Sequence, residues 1–166
     1  MVETFLIDLV NTFGYLGVFL GSLIGSASIF LPVPSFIFTV AAGALLDPLL
    51  VGVLAGFGAA IGELVGYGIG YGLHLGHKKL RKGKKYKKDK KWTITIKKWF
   101  HRKYGPLVIF IFAITPLPDD IIGIFCGVTK YDVKKFFVAT LLGKVILSLI
   151  LAYVGYYGWE FAIEFF

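Results

Sequence analysis

Two apolar stretches of this chain are each interrupted by a Pro-x-Pro motif, which limits the possible folds more than any other feature. Proline has no amide hydrogen and biases the residue before it away from helix, so neither stretch is expected to form one straight helix. The landmarks are Pro32-Val33-Pro34, Gly43 and Gly62-Glu63 in the first half, and Pro116-Leu117-Pro118, Gly127 and Gly143-Lys144 in the second. This shared order predicts two related halves.

The composition places these stretches in a membrane. Hydrophobic residues make up 57% of the 166 residues, and apolar runs exceed the roughly 20 residues that a helix needs to cross the hydrocarbon core. We therefore predict an all-α integral membrane protein with a single membrane domain, residues 1–166. The single cysteine, Cys126, rules out an internal disulfide and is expected to be a packing residue. No metal site and no cofactor are predicted.

The positive charge is concentrated in one segment. Residues 78–103 hold 14 of the 18 Lys and Arg with one acidic residue, whereas residues 1–77 contain no Lys or Arg. The positive-inside rule places this segment in the cytoplasm, between a first repeat (1–77) and a second (104–166) of a multi-pass protein of the cell membrane. We predict a basic loop and an amphipathic helix, in which Arg102 and Lys103 contact anionic lipid headgroups rather than nucleic acid.

The lengths of the apolar segments predict the path of the chain. Residues 49–76 and 136–158 are long enough to span the bilayer, whereas residues 35–46 rise only about 18 Å as helix. The arms on either side of the second Pro-x-Pro are shorter still. We therefore predict an inverted-topology repeat, in which each half is a Pro-x-Pro re-entrant hairpin plus a transmembrane helix. An ordinary first span within residues 5–31 is the alternative.

Ionisable residues within the apolar sequence are the candidate functional groups. A lone charge at the bilayer centre costs at least about 2.5–3.5 kcal/mol, so such groups are expected to face inward and to pair. Lys144 is predicted to pair with Asp120 or Glu63, which leaves one carboxyl able to exchange protons. The predicted substrate and proton-coupling residues are Glu63, Tyr67, Thr115, Asp119, Asp120 and Lys144, and the predicted hairpin tips are Pro32, Pro34, Pro116 and Pro118.

The same residues also have structural interpretations. Asp119 and Asp120 stand directly before an apolar run and could cap a helix there. Glu63 and Lys144 could form a purely structural ion pair. Tyr67 lies four residues after Glu63 on the same helix face, where its hydroxyl could enter the same cavity or its ring could serve for packing. The sequence leaves these alternatives open.

Several short segments carry the motifs of one known family. They are Phe30-Leu31-Pro32-Val33-Pro34, Gly62-Glu63-Leu64-Val65-Gly66-Tyr67 with Gly70, Lys103-Tyr104-Gly105-Pro106, the Thr115–Gly127 segment and Gly155-Tyr156. Through them nearly the whole chain resembles the DedA family, also described as the VTT or SNARE-associated Golgi protein domain. The resemblance implies two opposed re-entrant hairpins and movement of lipids between leaflets. It implies recycling of a polyprenyl-phosphate carrier in prokaryotes, coupled to an ion gradient, and phospholipid scrambling in eukaryotic relatives.

The match to the family's polar residues is incomplete. Glu63 takes the place of the acid in the family's Gly-Asp-x-x-Gly-Tyr motif. The acid expected before the first Pro-x-Pro falls within residues 25–28, which contain none. The arginines expected around the second hairpin are also absent, with Ala113 and Asp119 near those places. Lys144 is our candidate to supply the missing positive charge.

These observations lead us to expect a lipid transporter. It would move polyprenyl phosphate or anionic phospholipid headgroups between leaflets, while protonation of Asp119, Asp120 or Glu63 biases which side is open. An ion or small-solute transporter on the same scaffold and a non-transporting membrane scaffold are the alternatives. No enzyme activity is expected, because the sequence offers no Ser/His or metal-ligand set. The expected partners are membrane lipids and protons or another coupling ion, and homo-oligomerisation stays open.

Overall fold

The computed structural model describes residues 14–28, 35–80, 100, 104–115 and 120–165, with side chains described for 14–28, 36–76, 100, 104–115 and 120–158. Every regular element in these ranges is a helix, as predicted. The helices are α1 (Tyr15–Ala27), α2 (Ser35–Leu45), α3 (Pro48–Leu80), α4 (Gly105–Ile114), α5 (Asp120–Thr129) and α6 (Val133–Phe165). The predictions for Pro32, Pro34, Pro116, Pro118, Asp119, Arg102 and Lys103 lie outside the described residues.

Two of the helices are long and apolar. Pro48–Gly76 in α3 and Val133–Gly158 in α6 have the length and composition to cross a membrane. They confirm the long helices predicted at 49–76 and 136–158. The four short helices have between 10 and 13 residues, about 15–20 Å of helix, which is too little to cross about 30 Å of hydrocarbon.

An aspartate begins each long helix. The Oδ1 atom of Asp47 accepts a hydrogen bond from the amide of Leu50 at 3.0 Å, and Pro48 at the first helical position has no amide hydrogen to satisfy. The Oδ1 atom of Asp132 accepts hydrogen bonds from the amides two and three residues later, at 2.9 and 3.0 Å. Both side chains satisfy amides that lack a carbonyl partner in the first helical turn. Local sequence therefore determines where α3 and α6 begin.

Glycines at every fourth position of α3 allow two other helices to approach closely. They are residues 58, 62, 66 and 70. α1 packs against the first two, since a Cβ atom at Gly62 would lie 2.6 Å from the carbonyl oxygen of Leu23. α5 packs against the last two, since a Cβ atom at Gly70 would overlap the carbonyl of Ile124. α1 and α5 therefore follow one another along one face of α3.

α6 is covered by the other two short helices. A Cβ atom at Gly143 would lie 2.6 Å from the Cβ of Ala113, so α4 packs beside the first half of α6. A Cβ atom at Gly155 would overlap the carbonyl of Val40, so α2 packs beside the later part of α6. α3 and α6 also pack directly on each other. The two long helices thus form the centre of the bundle, and each carries one short helix from each half of the chain.

The ends of the short helices that adjoin the Pro-x-Pro segments lie near the middle of the long helices. α1 runs parallel to α3, and its last residue, Ala27, lies beside Gly62. α5 also runs parallel to α3, and its first residue, Asp120, lies beside Gly66. α4 ends next to Gly143 of α6. The described helix ends that flank the two Pro-x-Pro motifs therefore lie at one level of the bundle.

Candidate functional site

A buried ion pair joins the two long helices at this level. The Nζ atom of Lys144 lies 3.0 Å from Oε1 of Glu63, and these side chains are 9% and 3% exposed. Glu63 is the sixteenth residue of the 29-residue apolar part of α3, and Lys144 is the twelfth of the 26 in α6. This contact is one of the two pairings predicted for Lys144.

The surroundings make each of these charges depend on the other. Both side chains are buried between helices, where little solvent can screen or stabilise an ion. Removing one partner of such a pair leaves an uncompensated charge and typically costs about 3–5 kcal/mol. The charge of the Glu63 carboxylate and that of the Lys144 ammonium therefore stabilise each other at this buried position.

Lys144 borders a small polar cavity. Its volume is about 20 Å³, and its walls include the hydroxyl-bearing residues Ser22, Ser26, Thr39 and Ser148. This is room for about one water molecule. The Oγ atom of Ser22 is buried and has no hydrogen-bond partner among the described residues. The cavity thus offers an unsatisfied hydroxyl close to the lysine.

Glu63 borders a second cavity of different character. It measures about 10 Å³, and apolar side chains such as Ile109, Ile122 and Phe136 form most of its wall. The hydroxyl of Thr140 is its polar exception and, like that of Ser22, has no partner within the described part of the chain. Neither cavity is large enough for a lipid headgroup.

The structure also describes three further predicted residues. Asp120 is the first residue of α5, and its carbonyl faces Gly66, one turn of α3 after Glu63. The hydroxyl of Thr115 donates to two carbonyl oxygens of α4, each at 3.0 Å, and so closes that helix. The hydroxyl of Tyr67 donates to the carbonyl of Tyr131 at 2.6 Å, so it is engaged in a contact between α3 and the turn before α6.

Sequence reasoning missed four buried hydroxyls near the pair. Thr140 and Ser148 lie one helical turn on either side of Lys144 and are buried with it, so a search at i±4 from the lysine would have found them. Ser22 and Thr39 lie on α1 and α2. No local signal connects these two residues to Lys144, because their proximity depends on how three helices pack.

The predicted packing role of Cys126 is confirmed. Its side chain is fully buried in a cluster with Phe100, Tyr131 and Phe136. The ring of Phe100, which belongs to the predicted amphipathic helix, meets the rings of Phe125 and Tyr131 edge-on, with centroids 5.3 and 5.2 Å apart. The cluster therefore attaches the end of the basic segment to the end of α5.

Comparison with known proteins identifies the family. Over 146 residues, which are 88% of this chain and 86% of the other, the chain is 31% identical to an uncharacterized protein of Methanocaldococcus jannaschii. No solved structure matches the chain. Residues 33–157 match the VTT domain, and this segment includes both apolar long helices and the Glu63–Lys144 pair. The chain is a membrane protein and belongs to the DedA family, whose members share the VTT domain.

Proposed function

We propose that this protein is a lipid transporter of the cell membrane, which moves polyprenyl phosphate or anionic phospholipid headgroups between the leaflets. The observation that carries the proposal is the buried Glu63–Lys144 pair, placed midway along both long helices. Ionisable groups at membrane depth are costly, and they mark pathways for polar substrates and protons. The chain belongs to the DedA family, and resemblance to that family implies lipid movement, which supports the proposal.

We further propose that the two halves form an inverted-topology repeat of re-entrant hairpins. The packing supports it: the first arm of each half packs on its own long helix, α1 on α3 and α4 on α6. The second arm of each half packs on the long helix of the other half, α2 on α6 and α5 on α3. Glu63 and Lys144, which occupy corresponding positions of the two halves, contact each other, as residues near a two-fold axis do. In this topology the basic segment, 78–103, is cytoplasmic.

Lys144 is the proposed docking group for a phosphate oxygen. The hydroxyls of Ser22 and Ser148 line the same cavity and can donate further hydrogen bonds. While Glu63 is ionised, the pair is neutral and the lysine is occupied. A proton added to Glu63 removes the negative charge beside Lys144, and a singly charged phosphate then restores neutrality at the site. One proton and one anionic headgroup thus keep the net charge of the site at zero, which lowers the cost of crossing the midplane.

A flipping assay in proteoliposomes tests the proposal. Fluorescent phosphatidylglycerol and a polyprenyl phosphate analogue are followed with purified wild type, Glu63→Gln, Lys144→Gln and Asp120→Asn. We expect each substitution of the pair to slow movement more than about tenfold, because the paired charge is lost at membrane depth. We expect Asp120→Asn to slow lipid movement as well, because protonation of the Asp120 carboxyl is proposed to bias which side of the protein is open.

Lys134→Gln is the matched control, since Lys134 is an exposed lysine at the start of α6. It should transport as wild type does, and size-exclusion profiles establish that every variant is folded. Unchanged flipping in both variants of the pair would remove the pair from the mechanism. If wild type itself moves neither lipid, lipid transport is the wrong function.

Movement of an ion or a small solute is the second candidate. It is favoured by one observation, the small size of the two cavities beside the pair, about 20 and 10 Å³. The same proteoliposomes discriminate the two when loaded with a pH-sensitive dye. Proton uptake that requires an anionic lipid supports lipid transport, whereas uptake that requires only a soluble ion or solute supports the second candidate.

A further inference from the structure

A larger cleft lies at the end of the bundle where α3 begins. It has a volume of about 590 Å³, and its walls include Tyr15, Asp47, Tyr153, Tyr156 and the last turn of α2. The cleft is open to its surroundings. Asp47 lies 16 residues before Glu63, about 24 Å along the helix axis. The cleft is therefore separate from the buried ion pair.

The charge distribution of the chain makes this end attractive to cations. Residues 1–77 contain no Lys or Arg, and none follows Lys144. The exposed lysines Lys130, Lys134 and Lys135 lie at the opposite end of the bundle, where α6 begins. Within the cleft, the carboxylate of Asp47 adds a negative charge. The last turn of α2 adds the negative end of a helix dipole, whereas α1 and α3 begin at the same cleft with the positive ends of theirs, so the Asp47 carboxylate is the main source of negative potential.

Tyrosine rings form much of the remaining wall. The hydroxyl of Tyr15 accepts a hydrogen bond from the amide of Asp47 at 3.3 Å, which holds the ring beside the carboxylate. Tyr153 stacks on Tyr157 with centroids 6.1 Å apart, and Tyr156 meets Tyr157 edge-on at 5.3 Å. These contacts hold the cleft rings in place. The faces of aromatic rings carry negative potential and attract ammonium groups.

We propose that this cleft binds an ammonium group, of the kind carried by ethanolamine-type lipid headgroups and by their soluble analogues. The carboxylate of Asp47 and the tyrosine rings recognise the positive charge, and the carbonyls at the end of α2 accept its hydrogen bonds. A purely anionic headgroup finds no basic side chain there. Binding at the cleft does not require transport, so it can be measured and can fail independently of the proposed function.

Native mass spectrometry of the full chain tests the site. Purified protein is mixed with phosphatidylethanolamine and phosphatidylglycerol of identical acyl chains, and the retained lipid is counted for wild type, Asp47→Asn and Tyr153→Leu. Asparagine keeps the cap of α3 but removes the charge. We expect wild type to retain the ethanolamine lipid preferentially. Each variant should weaken that binding about two- to fivefold, without an effect on phosphatidylglycerol.

Tyr104→Leu is the matched control, because Tyr104 is an exposed tyrosine just before α4, outside the cleft. Wild-type protein without a preference between the two lipids would overturn the proposal, and so would a preference that survives both cleft variants. An equal loss of phosphatidylethanolamine binding in Tyr104→Leu would show that tyrosines at the membrane interface affect lipid binding in general, and this would also overturn the proposal. If soluble O-phosphoethanolamine displaces phosphatidylethanolamine, the headgroup alone is sufficient for binding at the cleft. If it does not, the site requires the intact lipid.

Discussion

Glu63 and Lys144 each follow a glycine in corresponding positions of the two halves, and one is an acid where the other is a base. This difference allows the two halves to neutralise each other at their contact, 3.0 Å apart. Two acids or two bases in the same positions would repel each other in a poorly solvated place. A pair of this kind is stable only while it is complete. The two side chains must therefore be tested together as well as singly.

The first prediction concerns the free energy of unfolding. Glu63→Gln or Lys144→Gln alone should lower it by about 3–5 kcal/mol, because each removes the opposite charge that lies 3.0 Å from a buried ion. The double variant should lose less than the sum of the two, because no charge remains. Unfolding in detergent micelles measures this cycle, with Lys134→Gln as control. Strictly additive losses would show that the two charges do not interact energetically.

The second prediction concerns pH and the exposed cap of α6. The amide of Lys135, with that of Lys134 and the positive charges of both lysines, lowers the pKa of Asp132 below its ordinary value. The ionised cap therefore stabilises the fold above the unfolded pKa of about 4, and this contribution is lost as pH falls through the lower folded pKa. Asp132→Asn should thus be less stable than wild type at pH 7, with a difference that shrinks below about pH 4. Melting temperatures from pH 7 to pH 3 measure it, and a difference independent of pH would contradict it.

At the scale of the helices, glycine placement determines which helices pack closely. The glycine stripe on α3, residues 58, 62, 66 and 70, admits α1 and α5 in succession. Glycines elsewhere on the same helix, such as Gly68 and Gly72, have no neighbouring atom within 4 Å of a Cβ position. Spacing in the sequence thus identified the packing face of α3. It did not identify the partners of that face.

The third prediction compares two alanine substitutions on one helix. Gly70→Ala should destabilise the protein by about 1–3 kcal/mol, because the new methyl group overlaps the carbonyl of Ile124. Gly72→Ala meets no neighbour and should be neutral or stabilise by up to about 1 kcal/mol, since alanine favours helix. Thermal unfolding of both variants in detergent measures the difference. Equal effects would mean that α5 does not pack on this stripe.

At the scale of the whole molecule, the proposed topology places the start of α3 and the start of α6 on opposite sides of the membrane. α3 and α6 pack together, and the basic segment that follows α3 is expected in the cytoplasm. The start of α6 lies at the same end of the bundle as the end of α3, since α5 runs parallel to α3 and leads directly into α6. The direction in which α3 crosses the membrane therefore determines on which side every other helix end lies.

The fourth prediction tests this orientation by cysteine labelling. In a Cys126→Ala background, Leu49→Cys should react with a membrane-impermeant maleimide in intact cells, because the proposed topology places the start of α3 outside. Lys134→Cys should react only after permeabilisation. Both positions are exposed on the protein surface. Labelling of both from the same side would contradict the inverted topology.

Local sequence determined the helices of this protein. Aspartates began the long helices, and apolar length distinguished long from short, because each of these effects acts between residues close together in the chain. Tertiary structure alone decided that Lys144 contacts Glu63 and that Ser22 and Thr39 lie beside it. It also decided that tyrosines from α1 and α6 share one cleft. These contacts join residues up to about 140 positions apart, and their geometry depends on how glycine faces allow whole helices to pack.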